Sequence, residues 1–118
     1  MAWSLLIVDD HADFRAGARA LLELDGFRVL GEAADGESAL EAVRRLRPQV
    51  VLLDVQLPDT DGFDVCSQIT SHEEHPVVIM TSSRDGSDFG PLVTTSGACG
   101  FVPKAELSGA RMQELLTP

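Results

Sequence analysis

The sequence predicts an α/β domain built on a five-stranded parallel sheet with five helices. Three observations predict it. Apolar runs of strand length alternate with helix-length amphipathic segments through all 118 residues. Carboxylates stand just past two of those runs, Asp9 and Asp10 after residues 4–8 and Asp54 after 49–53. A lysine, Lys104, follows a third run ending in Phe101-Val102-Pro103. Charges just past the carboxyl ends of buried strands share one edge of the sheet, which is where open α/β sheets bind ligands.

Each element has its own signal. Residues 4–8 form the first strand, and a helix over 12–24 presents Phe14, Ala18, Leu21 and Leu22 on one face before Asp25-Gly26 ends it. The second strand, 27–33, is less uniformly apolar, as an edge strand is. Gly36 to Leu46 reads as a helix with a Leu40, Val43, Leu46 stripe, stopped by Pro48. A third strand covers 49–53, and the loop 55–62 leads into a short helix over 62–71. Proline is tolerated at a strand start, so Pro76 opens a fourth strand over 77–80. A fourth helix is expected within 87–96, where Gly90, Pro91 and the β-branched Thr94-Thr95 oppose it. A fifth strand (99–102) and a helix (108–117) capped by Ser108 complete the chain, with Met112, Leu115 and Leu116 supplying mostly core. With no linker or repeat between these elements, residues 1–118 are expected to be one domain.

That length suffices for a single core. The longest apolar stretches fall far short of a bilayer span, so a soluble, cytoplasmic protein without membrane contact is expected. Cys66 and Cys99 lack metal-type spacing and are read as reduced, partly buried thiols. A formal charge of −10 argues against DNA binding by this chain, and Arg44, Arg45 and Arg47 are a solvated helix end.

The acids carry the chemistry. Two carboxylates about 4 Å apart repel by roughly 4 kcal/mol at an effective dielectric of about 20, so three together require protonation, a lysine or a cation. Asp9-Asp10 or Asp54 alone would be a capped turn; placed together with Lys104 they suggest Mg²⁺ beside a phosphoryl group. An aspartate can act as nucleophile toward phosphorus, and phosphoryl transfer needs charge neutralisation and alignment more than a base. Pro58 and Gly62 shape the adjoining turn. Thr81, just past the fourth strand, is expected to offer its hydroxyl at the same edge. His11 invites a metal-ligand reading, but as the start of the first helix it is expected to face solvent. His72 and His75 flank Glu73-Glu74 in a hydrated connection, and Trp3 is expected to be exposed or half-buried.

Four markers in order resemble the receiver domain of two-component response regulators over essentially the whole chain. They are Asp9-Asp10; Asp54 with Leu57-Pro58-Asp59-Thr60-Asp61-Gly62; Thr81; and Gly97-Ala98-Cys99-Gly100-Phe101-Val102-Pro103-Lys104. The resemblance implies a flavodoxin-like doubly wound sheet of order 2-1-3-4-5. It also implies a phosphoacceptor switch rather than an enzyme, assisting only its own phosphorylation and dephosphorylation. Asp54 would take a phosphoryl group from a histidine kinase or a small donor. Asp10, Asp54 and the backbone carbonyl of Gln56 would hold Mg²⁺, with Asp9 acting through water, while Thr81 and Lys104 would bind phosphoryl oxygens. Thr81 and Phe101 would form the switch, altering the surface of helix four, strand five and helix five, and a homodimer is a further expected partner. By the same resemblance, Gln56 and Ser83 would occupy positions that in this family tune the phosphate's lifetime.

The chain departs from the family pattern at Ala105, where many relatives have a proline, and at Phe101, where tyrosine is usual. Residues 101–107 resemble regulators with a C-terminal helix-turn-helix domain. The chain is therefore expected as a stand-alone receiver or, in preference, as a piece of a transcription factor that meets DNA only through an output domain. Two rivals are an Asp-nucleophile phosphohydrolase, disfavoured by Gln56 where a general acid would stand, and a non-phosphorylated adaptor, disfavoured by the intact acids and Lys104.

Overall fold

A computed structural model describes residues 2–84 and 89–117. Its strands are β1 (Ser4–Val8), β2 (Arg28–Ala33), β3 (Val50–Asp54), β4 (Val77–Ser82) and β5 (Gly100–Pro103). Between and after them come α1 (Ala12–Leu24), α2 (Gly36–Leu46), α3 (Gly62–Thr70), α4 (Leu92–Thr95) and α5 (Gly109–Leu116). All strand pairs are parallel, in the order β2-β1-β3-β4-β5. Both the fold class and the order agree with the sequence reading.

Successive side chains of a strand point to opposite faces, and here both faces are covered. Leu6, Val8, Val51, Leu53, Val78 and Met80 pack with Ala39 and Ala42 of α2 and Phe63, Cys66 and Ile69 of α3. Leu5, Ile7, Val50, Leu52 and Ile79 pack on the other face with Ala18 and Leu22 of α1 and Met112 of α5. This double burial explains why the central strands read as unbroken apolar runs instead of alternating. Leu115 and Leu116 pack partly buried on the second cluster, as does Trp3. Cys66 is buried, whereas Cys99 is exposed with its thiol donating to the Leu115 carbonyl at 3.0 Å.

Several boundaries differ from the sequence reading. Strand β4 continues to Ser82 because Thr81 and Ser82 pair with Val102 and Pro103 of β5. The fourth helix is a single turn, Leu92–Thr95, and the expected residues 87–88 lie outside those described. Its residues explain the brevity: the Thr94 and Thr95 hydroxyls both donate to the Pro91 carbonyl (3.2 and 3.0 Å), and Gly97 turns the chain at φ +95°. A 3₁₀ turn over Lys104–Glu106, absent from the sequence reading, leads into α5, which Ser108 caps by accepting from the Arg111 amide. No peptide bond among the described residues is cis, including Lys104–Ala105. None of the described helices is long and apolar enough to cross a membrane.

Candidate phosphoacceptor and metal site

The site lies at the carboxyl edge of the sheet. Asp9 follows β1, Asp54 ends β3 and Lys104 follows β5, so the parallel register delivers all three to one place. Asp9 is fully buried. Its Oδ1 accepts from the His11 amide at 2.8 Å, and the Arg15 guanidinium donates to its backbone carbonyl at 2.6 Å. Lys104 Nζ sits 2.6 Å from the buried Asp9 Oδ2 as its ion partner. The same ammonium donates to Asp54 Oδ2 at 3.4 Å and rests 4.4 Å over the Phe14 ring, a cation–π contact. Asp54 Oδ1 accepts from the Gln56 amide at 3.2 Å.

These contacts set the two buried acids apart. Burial opposes ionisation of Asp9, but Lys104 and the His11 amide outweigh it and hold the carboxyl below the usual aspartate range. Burial and the neighbouring Asp9 charge push Asp54 up to about 6, against the smaller pull of the Gln56 amide and Lys104. Asp54 is therefore mostly ionised at neutral pH, but it is the acid with an unmet need for positive charge.

The loop after β3 is built to hold Asp54 in place. Gly62 passes so close that a Cβ there would collide with the Asp54 and Val55 carbonyls, and its amide donates to Val55 O at 2.6 Å. Asp61 caps α3 by accepting from the Phe63 amide at 2.7 Å. Asp59 reaches across to α2, accepting from the amides of Gly36 (2.8 Å) and Glu37 (3.1 Å), which holds its carboxyl below the ordinary range.

A cavity of about 380 Å³ opens over the site, lined among others by Asp10, Asp54, Gln56, Ser83 and Lys104. Asp10 is part-exposed at its rim. Ligand atoms of Asp9, Asp10, His11 and Asp54 all lie within 4.8 Å of one another. Hard carboxylate oxygens at that spacing suit a small divalent cation. The larger cleft of about 880 Å³, lined by Trp3, His72 and His75, lies at the opposite, amino-terminal edge of the sheet and holds none of these groups.

Two expected residues sit differently from the sequence reading. Thr81 is fully buried, and its hydroxyl donates to the Val102 carbonyl at 2.7 Å instead of facing the cavity. The reason is register: Thr81 pairs with Val102, so the nearest acceptor belongs to β5. His11 is exposed, as expected, yet its ring turns back, with Nδ1 at 3.1 Å from Asp9 Oδ1 and 3.0 Å from Asp10 Oδ1. Phe101 is half-buried and contacts Phe89 (centroids 5.6 Å apart), which in turn meets Phe63 edge-on at 5.6 Å. Phe14, Arg15 and Phe89 were not singled out from sequence as site residues. Phe14 carried only a helix-face signal, Arg15 carried none, and Phe89 lay in the poorly patterned segment.

Comparison with known proteins agrees with the fold. The sequence model of the response regulator receiver domain matches residues 5–116. The transcriptional regulatory protein PdtaR of Mycobacterium tuberculosis is 31% identical over 120 residues, covering 94% of this chain and 58% of PdtaR. The chain spans about half the length of the curated relatives it matches first, 49% and 58%. Among solved structures, the signal receiver domain of NarL from M. tuberculosis superposes with a TM-score of 0.87 at 31% identity, covering 99% of this chain and 98% of that one. A CheX–CheY–BeF₃–Mg²⁺ complex from Borrelia burgdorferi gives a TM-score of 0.84 at 27% identity, covering 97% and 86%.

Proposed function

Because the chain belongs to the response regulator receiver domain family, we propose that it is a phosphoacceptor switch whose Asp54 takes a phosphoryl group from a histidine kinase. One observation carries this reading above the others. Asp54 is a buried carboxylate opening onto a cavity, next to a lysine and two further acids, and burial beside Asp9 leaves it short of positive charge.

In this reading an Asp54 oxygen forms the new P–O bond as the donor's P–N bond breaks. Lys104, already between Asp9 and Asp54, follows the charge onto the phosphoryl oxygens. Asp10, Asp54 and the Gln56 carbonyl would hold Mg²⁺, with Asp9 acting through water. The ion's contribution is charge neutralisation at the transferring group. Support for a metal comes from the four converging ligand atoms, and from the CheY relative solved with BeF₃ and Mg²⁺.

The switch follows from Thr81. Its hydroxyl leaves Val102 O to bond the phosphoryl group, and the freed β5 lets Phe101 move from its contact with Phe89. The surface of α4, β5 and α5 changes with it, and an output domain beyond this chain, or a second copy, reads the change. Any contact with DNA is made by that output domain. The chain acts as a regulatory domain and does not turn over an external substrate.

Intact mass after incubation with acetyl phosphate and Mg²⁺ tests the reading, beside Asp54→Asn. A single phosphate adduct, lost in the variant and without metal, is the expected result. A lack of adduct from acetyl phosphate and from a panel of histidine kinases would favour an adaptor role instead.

A further inference from the structure

The Arg15 side chain ties α1 and β2 to the backbone of the acidic site. Arg15 and Arg19 stand four residues apart on α1, so they share one face of the helix. That face meets Glu32 of the edge strand β2: Arg15 Nε donates to Oε1 at 3.0 Å and Arg19 Nε to Oε2 at 2.8 Å. Arg19 and Arg15 together, against burial, hold the Glu32 carboxyl below its ordinary range. Helical side chains lean toward the N-terminus of their helix, and the other arm of Arg15 follows that direction. Its Nη1 donates to the Asp9 carbonyl at 2.6 Å. A planar guanidinium can hold a carboxylate and a carbonyl at once in fixed directions, as a point-like ammonium cannot.

The Asp9 carbonyl belongs to the peptide unit that carries Asp10. The Asp9 amide donates to Ala33 O of β2 at 3.0 Å. With Arg15 on the carbonyl, both polar backbone groups of Asp9 are held, and the plane of the Asp9–Asp10 peptide is held with them. Asp10 has most need of this. Its side chain is 35% exposed, against 0% for Asp9 and 6% for Asp54, so packing restrains it least of the three acids.

We propose that Arg15, anchored by Glu32, is a positioning residue for the acidic site, setting the Asp9–Asp10 peptide so that the Asp10 carboxylate is aimed before a divalent ion arrives. The inference rests on the metal site proposed above and adds to it a residue that is not itself a ligand. The charge of Arg15 works against this role, because a guanidinium near the site repels a dication. Acting by charge alone, its removal would tighten ion binding; acting by position, its removal loosens it. Glu32 lessens the repulsion by pairing with the same guanidinium.

The test is calorimetric titration of the chain with Mg²⁺, with the Asp10 amide nitrogen resonance of the metal-free protein followed in parallel. Arg15→Met is expected to weaken Mg²⁺ roughly tenfold, the smaller end of what loss of a ligand-orienting partner costs. It should also shift the Asp10 resonance, since the carbonyl of that peptide loses its donor. Arg15→Lys, which keeps the charge and a single donor group, is expected to recover part of the affinity. Arg19→Met loses a Glu32 partner but leaves the Asp9 bond intact, and is expected to bind Mg²⁺ as the wild type does. Affinity unchanged or raised in Arg15→Met, with binding still lost in Asp10→Asn, would overturn the role of Arg15 and leave the acidic site standing. Equal weakening in Arg19→Met would assign the effect to general loosening between α1 and β2 and also overturn the proposal. Mg²⁺ binding indifferent to Asp10→Asn and Asp54→Asn would remove the acidic site itself, and the proposal with it.

Discussion

Lys104 Nζ is closer to Asp9 (2.6 Å) than to Asp54 (3.4 Å), the residue it is expected to serve in phosphoryl transfer. In this state the lysine neutralises the fully buried acid and only partly compensates the other. The arrangement leaves Asp54 demanding a second cation and gives Lys104 a short path to a group arriving on Asp54.

Removing the ammonium exposes that dependence. Lys104→Met leaves Asp9 buried without its ion partner, and breaking such a pair costs roughly 3 kcal/mol. Urea denaturation is expected to show a lowered midpoint with unchanged slope. Added Mg²⁺ should recover part of the loss by supplying the missing charge. A midpoint equal to that of the wild type would mean the pair contributes nothing to stability.

Asp54→Asn is expected to stabilise the metal-free protein at neutral pH. Burial and the Asp9 charge push the folded carboxyl up to about 6 from the ordinary aspartate value of 3.8, so the folded chain holds its proton more tightly. Between about pH 4 and 6 the unfolded chain therefore binds fewer protons, and the Asp54 contribution to stability falls as pH rises through that window. Discounted for solvent near the open cavity, the gain from asparagine is on the order of 1 kcal/mol at pH 7. Asp9 acts in the opposite sense: its depressed value contributes stability above about pH 4 that is lost on acidification. Thermal melts of both chains across pH 4–8 check this, the difference vanishing at the acid end.

Thr81→Val removes the buried hydroxyl that donates to Val102 O, at a cost of about 1 kcal/mol. The phosphate adduct should still form. Amide chemical-shift changes at Phe101 and Val102 on phosphorylation, expected in the wild type, should be absent in the variant. Unaltered shift changes would remove Thr81 from the switch.

Gly62→Ala places a Cβ against the Asp54 and Val55 carbonyls, backbone that cannot give way as a flexible side chain would. Overpacking of this kind costs roughly 1–3 kcal/mol. The adduct yield with acetyl phosphate is expected to fall with it, since the displaced carbonyl belongs to the phosphoacceptor residue.

Gln56 and Ser83 both line the cavity and are exposed, so neither supports the core. Exchanging both for lysine and glutamate is expected to change the decay rate of the phosphorylated form while leaving the melting temperature near its original value. Decay at the unaltered rate would show that water reaches Asp54 by another route.

Much of this was legible in the chain. The central strands are covered on both faces, so their apolar runs are unbroken and the carboxylates that interrupt them mark the sheet's edge. Asp9, Asp54 and Lys104 could therefore be placed together before any coordinates, and helix stops at Gly26 and Pro48 were equally plain. The segment around Phe89 was not, because Gly90, Pro91 and paired threonines carry no single periodicity, and the turn that forms there is held by side chains bonding to Pro91 O.

By itself the sequence determined which groups share the sheet's edge, since the hydrophobic pattern marks where the buried strands end, while the strand order came with the resemblance to receiver domains. How those groups are oriented was decided only in three dimensions. The Thr81 hydroxyl turns to Val102 because the β4–β5 register puts a carbonyl beside it. Lys104 leans toward Asp9 because that acid is wholly buried and Phe14 lies beneath the ammonium. The His11 ring folds back because two carboxylate oxygens lie within 3.1 Å of Nδ1. Side-chain direction depends on which partners lie within hydrogen-bonding reach, and for Thr81 and Lys104 those partners are on elements far apart in the chain.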